Sequence, residues 1–177
     1  MYVAAVEDAA YKKSKILWWE NVYGFDMSVL RDCAFQEPLV DEVKPSQVVT
    51  NCPAVGSIDL YAVDRLRFNF SFNLRGSTND FIHAFLLHFS VVFFSDPSRS
   101  PPVRSFGFST GPSAAETHWQ QTLLYLKEVL LLCKDDTLTG QLLLAPALDD
   151  ASKLAVELSY SFAGTYGQVR GHQSYVL

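Results

Sequence analysis

The sequence predicts a mainly β protein, an antiparallel β-barrel or sandwich-like barrel with one short helical insertion. Three observations lead there. First, FNFSFNL puts Phe68, Phe70, Phe72 and Leu74 on one face of an extended chain and Asn69, Ser71 and Asn73 on the other, and KLAVELSYSF repeats the pattern with Leu154, Val156, Leu158, Tyr160 and Phe162. Side chains alternate along a strand, so strict alternation marks half-buried antiparallel strands. Second, polar turns punctuate the apolar segments at 76–79, 134–136 and 148–150, as a barrel or sandwich requires. Third, 49% of the 177 residues are hydrophobic and 14% aromatic, which supplies the core of one domain.

The elements follow in order. Residues 2–7 form the first strand candidate. From Ser14 to Asp32, SKILWWENVYGFDMSVLRD, the spacing turns helical. Ser14 reads as an N-cap, Gly24 as a helix stop and Asp26 as the cap of a second short helix. At about 100° per residue, Ile16, Trp19 and Tyr23 share one face and Trp18, Val22 and Phe25 another. A helix of about two turns cannot bury two faces against one barrel wall, so these aromatics read as a docking surface. The simpler reading is a helix that plugs its own barrel. Further strands are expected at 35–43, 55–63, 68–74, 82–94, 104–109, 122–132, 138–145 and 154–162. The stretch Ser95–Ser105, SDPSRSPPVRS, is a Pro/Ser-rich loop that cannot continue a central strand.

Composition excludes several functions. A net charge of −5 speaks against direct nucleic-acid binding, which needs clustered Lys and Arg. Cys33, Cys52 and Cys133 are scattered and unpaired in sequence, so neither a disulfide framework nor a metal site is expected. The N-terminus has its basic pair after the apolar run, unlike a signal peptide. The apolar run from Phe81 to Phe94 is broken by His83, His88 and Ser90 and falls short of the ~20 residues of a membrane helix. The chain reads as a soluble intracellular protein with no membrane partner.

Motifs narrow the choice. GFSTG, residues 107–111, matches a hydrolase nucleophile pattern, but Pro112 and a small-residue loop are poor context for the strand-turn-helix elbow that Ser109 would need. His83 and His88 are an odd number of residues apart, so on one strand they face opposite ways and read as packing or surface residues. The acidic pairs Asp135-Asp136 and Asp149-Asp150 sit in turns. Asn69-Phe-Ser71 is a glycosylation pattern without a secretory context. THWQQT, from Thr117, reads by itself as a packing pair of His118 and Trp119.

WWENVYGFDMS (Trp18–Ser28), EPLVD (Glu37–Asp41) and FSTGP…THWQQT (Phe108–Thr122) together resemble the C-terminal half of protein arginine N-methyltransferases, closest to the asymmetric-dimethylating class. The resemblance runs from Met1 to Leu177. Two departures are Gln120, where the family usually carries Lys, and the longer loop at Ser95–Ser105. The resemblance implies a barrel with an inserted dimerisation arm: residues 1–10 lead in from a cofactor domain, 11–43 form the arm and 44–177 the substrate-binding barrel. It implies that Trp18, Tyr23 and Met27 grip the partner subunit of a homodimer. S-adenosylmethionine and the glutamates that hold the substrate guanidinium would belong to the cofactor domain, with no cofactor-binding residue in this chain. Arg/Gly-rich or histone-like proteins would be the substrates, in cytoplasm and nucleus.

The resemblance also gives the Thr117–Trp119 turn a chemistry. A guanidinium has a pKa above about 12 and is a poor nucleophile until its charge is localised. His118, beside the carboxylates and paired with an aspartate of the cofactor half, would accept or relay the released proton. Trp119, with Thr117, would wall the substrate arginine, and its indole would stack on the guanidinium. Two other functions stay open at this stage. One is a catalytically silent paralogue that dimerises with and activates an active enzyme. The other is an unrelated β-sandwich binding module.

Overall fold

The computed structural model describes residues 1–94 and 105–177. Ten strands are described: β1 Tyr2–Val6, β2 Leu39–Asp41, β3 Phe68–Arg75, β4 Asp80–His88, β5 Ser90–Phe93, β6 Phe106–Ser109, β7 Gln121–Leu132, β8 Thr137–Pro146, β9 Leu154–Gly164 and β10 Gly167–Val176. They build two antiparallel four-stranded sheets, ordered β1-β4-β7-β2 and β10-β9-β8-β3, with β5-β6 a separate hairpin. The inner faces of the two sheets share one core. Phe85 of β4 lies 5.3 Å from Phe72 of β3 and 5.6 Å from Tyr160 of β9, ring centre to ring centre. Leu74, Leu124, Leu126, Leu142, Val156 and Leu158 complete it, fully buried.

The outer face of the β1-β4-β7-β2 sheet is covered as well. Ala4, Val6, Ala84, Leu86, Leu123 and Tyr125 pack there against Ile16, Phe35 and Val43. The helical insertion begins at α1, Ala9–Tyr11, passes through a π turn at Lys12–Ile16 and a 3-10 turn at Leu17–Glu20, and ends with α2, Val29–Ala34. Asp8, not Ser14, caps the start: its side chain accepts from the Tyr11 N–H at 3.3 Å. The same carboxylate accepts from the Tyr125 hydroxyl, and Tyr11 stacks on Tyr125 at 5.0 Å. A carboxylate that already ties α1 to β7 thus outcompetes Ser14, which is exposed. Lys12 is 3% exposed and donates to the Leu126 and Lys127 carbonyls at 2.7 and 3.2 Å.

Beyond Ile16 the chain leaves the sheet. Trp18 is 42% exposed, Tyr23 92%, Phe25 73% and Met27 36%. Tyr23 and Gly24 form a turn at φ 53° and 93° that folds Val22 back on Phe25. Gly24 thus takes the left-handed conformation expected of it, but in this turn and not at a helix end. Asp26 accepts from the Ser28 N–H at 2.9 Å, and Ser28 precedes α2.

Three expected strands change. The segment 35–43 is extended only at β2, because Phe35 closes α2. No strand forms over 55–63: Val55 bonds Met1, and a turn at Asp59 then takes the Ala62 and Val63 N–H groups. The strand expected at 82–94 ends at His88 and resumes in the β5-β6 hairpin. The Pro/Ser-rich loop, but for Ser105, lies outside the described residues. Strand β10 was not expected. At the far end of the barrel Asp136 collects three turns: Oδ2 accepts from Cys133 N at 2.8 Å, Oδ1 accepts from Thr165 N and Oγ1 at 2.9 and 2.8 Å, and its carbonyl accepts from Gly76 N at 2.9 Å.

Candidate functional site

The Thr117–Trp119 turn enters β7. Gln120 completes it at φ 48°, its N–H bonding the Thr117 carbonyl at 3.2 Å. The turn presents His118 and Trp119 to solvent side by side. Trp119 is 59% exposed, while Phe108 of β6 stacks on its indole at 5.0 Å and Phe89 meets it edge-on at 6.4 Å. The Thr117 hydroxyl is buried and has no hydrogen-bond partner among the described residues. The three predicted site residues therefore stand together, two outward and one inward. The arm residues Trp18, Tyr23 and Met27 cluster separately on the insertion, Tyr23 edge-on to Trp18 at 6.3 Å.

Three residues that fix the turn were missed by the sequence reading. Thr110 N donates to the Phe89 carbonyl at 2.9 Å, and Phe89 N donates to Thr110 Oγ1 at 3.1 Å. Gln121 Nε2 donates to the Thr110 carbonyl at 2.6 Å, and its Oε1 accepts from Val43 N at 2.7 Å. The signal for Phe89 lay in the hairpin register, since the pair Ser90↔Ser109 brings Phe89 to Thr110. A buried amide such as Gln121 carries no sequence signal, because its partners are backbone groups.

Beside the turn lies a cleft of about 600 Å³ lined by Tyr2, Cys52, His88, Ser90, Ser109 and Pro112, among others. Its floor is His88, stacked flat on Tyr2 at 4.8 Å with Nε2 3.2 Å from Cys52 Sγ. Burial holds the His88 imidazole below its ordinary pKa and pushes the Cys52 thiol up. His83 is also buried; its Nδ1 accepts from Asp8 N at 3.2 Å, and burial lowers it against the opposing pull of Glu7. Both histidines are packing residues, and the register shift between Ile82 and Ala84 breaks the alternation along β4 on which their expected opposite facing rested. Ser109 Oγ lies 2.9 Å from Ser90 Oγ and accepts from Gly111 N at 3.2 Å, with no histidine or carboxylate bonded to it among the described residues. Among the described residues the cleft lining holds no carboxylate. No group of three or more His, Cys, Asp or Glu able to hold a metal occurs among the described residues, and none of their helices is long and apolar enough to cross a membrane.

Comparison with known proteins gives a consistent picture. The family model for the arginine methyltransferase oligomerization subdomain matches residues 1–165. Protein arginine N-methyltransferase 1 of Oryza sativa subsp. indica is 38% identical over 177 residues, 99% of this chain and 44% of the relative. The Caenorhabditis elegans protein of the same name is 39% identical, over 100% of this chain and 50% of the relative. The chain thus spans about half the length of these relatives. A solved Trypanosoma brucei PRMT1 enzyme-prozyme heterotetrameric complex with AdoHcy superimposes with a TM-score of 0.91 at 29% identity, over 99% of this chain and 55% of that one. Arabidopsis thaliana protein arginine methyltransferase 10 shares the fold, with a TM-score of 0.72 at 16% identity.

Proposed function

Since this chain belongs to the arginine methyltransferase family as its oligomerization subdomain, we propose that it forms the barrel wall of an active site that methylates arginine in proteins. S-adenosylmethionine supplies the methyl group and is held by the remainder of the protein, as are the acids that grip the guanidinium. The observation that carries this reading is the exposed His118–Trp119 pair on a turn fixed by buried hydrogen bonds. Trp119, backed by Phe108, stacks on the substrate guanidinium. His118 takes the proton that the arginine nitrogen loses. Thr117 lies beneath, its carbonyl accepting from Gln120 N at 3.2 Å to close the turn. The arm aromatics Trp18, Tyr23 and Met27 seat on the partner subunit and make the working unit a homodimer. Arg/Gly-rich or histone-like proteins, met in cytoplasm or nucleus, are the substrates. Nothing in this chain favours a silent paralogue.

The test is His118→Ala in the intact enzyme. Turnover at saturating peptide is expected to fall about 10²-fold or more, with cofactor affinity unchanged by calorimetry. An unaltered rate returns His118 to the surface of the barrel.

A further inference from the structure

Gln121 is 8% exposed, and its amide joins two segments far apart in the sequence. Oε1 holds Val43 N, where the insertion returns to the barrel, at 2.7 Å, and Nε2 holds the Thr110 carbonyl at 2.6 Å. Just upstream, β2 pairs with the first residues of β7, Asp41 opposite Gln121 and Val40 opposite Thr122. Thr110 in turn bonds Phe89, and Phe89 packs on Trp119. The chain of contacts from Val43 through Gln121, Thr110 and Phe89 ends on the indole, two residues from Gln121 itself. Filling this space needs only an apolar side chain. Joining an N–H to a carbonyl needs a group that accepts and donates at once, and an amide does both.

We propose that Gln121 is a positioning residue that couples the root of the arm to the active-site turn. Seating the arm on the partner subunit holds β2 and Val43, and Gln121 passes that constraint to Thr110 and so to Trp119. The proposal rests on the reading of the Thr117–Trp119 turn as part of an active site.

In the intact enzyme, Gln121→Leu is expected to lower kcat about 10- to 100-fold, the size of effect a small misplacement produces. The KM for S-adenosylmethionine should stay within twofold, and the Trp119 indole N–H resonance should shift. Gln121→Glu keeps the acceptor for Val43 but has no donor for Thr110 while ionised. Its loss relative to wild type should therefore shrink as the pH is lowered and the carboxyl regains a proton, whereas the Gln121→Leu loss should not. Gln173 is the control: its amide similarly joins Lys127 N at 3.0 Å and the Tyr125 carbonyl at 3.1 Å, away from the turn. Gln173→Leu should lower the melting temperature and leave kcat alone. Unchanged kcat in Gln121→Leu, or an equal fall in Gln173→Leu, overturns the proposal, as does a Gln121→Glu pH profile parallel to wild type. Should Gln121→Leu fail to fold, the Gln121→Glu profile decides alone. If His118→Ala abolishes turnover while the Gln121 variants do not, the coupling is wrong and the active-site reading stands. If His118→Ala is silent, the active-site reading itself falls.

Discussion

Strand β3 alternates exposed and buried residues along most of its length, whereas β4 in the facing sheet buries every residue from Ile82 to His88. Both strands serve the same core. They differ because the insertion lies over the outer face of one sheet, whereas the outward side chains of β3 in the other are left exposed among the described residues. The insertion itself divides the same way. Ile16 is 3% exposed against the sheet, and Trp18, two residues on, is 42% exposed beyond it. A single short segment thus has a root that belongs to the barrel and a tip that does not. Burial on the chain's own sheet and exposure at the tip are the physical basis for assigning stability to one and association to the other.

The tip is the place to break that division most visibly. Trp18→Ala combined with Tyr23→Ala is expected to weaken the dimer of the intact enzyme by about three orders of magnitude, because burying each aromatic anchor is worth about 2–3 kcal/mol. The melting temperature of the barrel should hardly move. Sedimentation at micromolar concentration checks it, and a persistent dimer would assign the tip to some other role.

At the root the prediction reverses. Ile16→Ala should cost about 2–5 kcal/mol of unfolding free energy in urea titrations of this chain, with the arm tip untouched. A cost below about 1 kcal/mol would mean that the insertion merely lies on the sheet. The two variants together sharpen the contrast, since each should move only one of the two measurements.

Lys12 gives a smaller test of the root through pH. Burial lowers its ammonium pKa from 10.5 to about 8. Between those values the unfolded chain binds more protons than the folded one, so the unfolding free energy should rise with pH, by about 1–3 kcal/mol. Tyr125 and Tyr175 act in the opposite sense at higher pH. Burial raises both hydroxyls, with help from Asp8 at Tyr125 and from Tyr160 at Tyr175. Above about pH 10 the unfolded tyrosines ionise first and stability falls. Denaturant titrations from pH 7.5 to 11 should show a maximum near the crossover, and Lys12→Met should remove the rising limb. A rising limb that survives in Lys12→Met would assign it to another group.

One-sided strands were legible from the sequence because period-2 alternation records a single buried face, as in β3 and β9. The paired faces of β4 left a continuous apolar run that hid its end at His88. Strand β10 was invisible for the opposite reason: of its inward positions Val169, Gly171, Gln173 and Tyr175, only Tyr175 is fully buried. The segment 55–63 looked like a strand, but its apolar residues Ile58, Leu60, Tyr61 and Val63 are exposed. Helix caps were misjudged where a tertiary bond won, as Asp8 did over Ser14. The candidate turn was legible as a motif, THW, while the residues that hold it were not. Phe89, Thr110 and Gln121 meet only after β4, the hairpin and β7 have closed on one another.

The Asp136 carboxylate at the other end of the barrel works on assembly. A strand that pairs one residue out of register turns its apolar face to water, and here a slip would also draw Cys133 N or Thr165 off the Asp136 carboxylate, or Gly76 N off the Asp136 carbonyl. Each misaligned pairing is thus penalised in the core and again at the turn. Only the Thr165 turn closes a hairpin, β9–β10; the Gly76 and Cys133 turns cross from one sheet to the other, so Asp136 ties the alignment of each sheet to that of its neighbour.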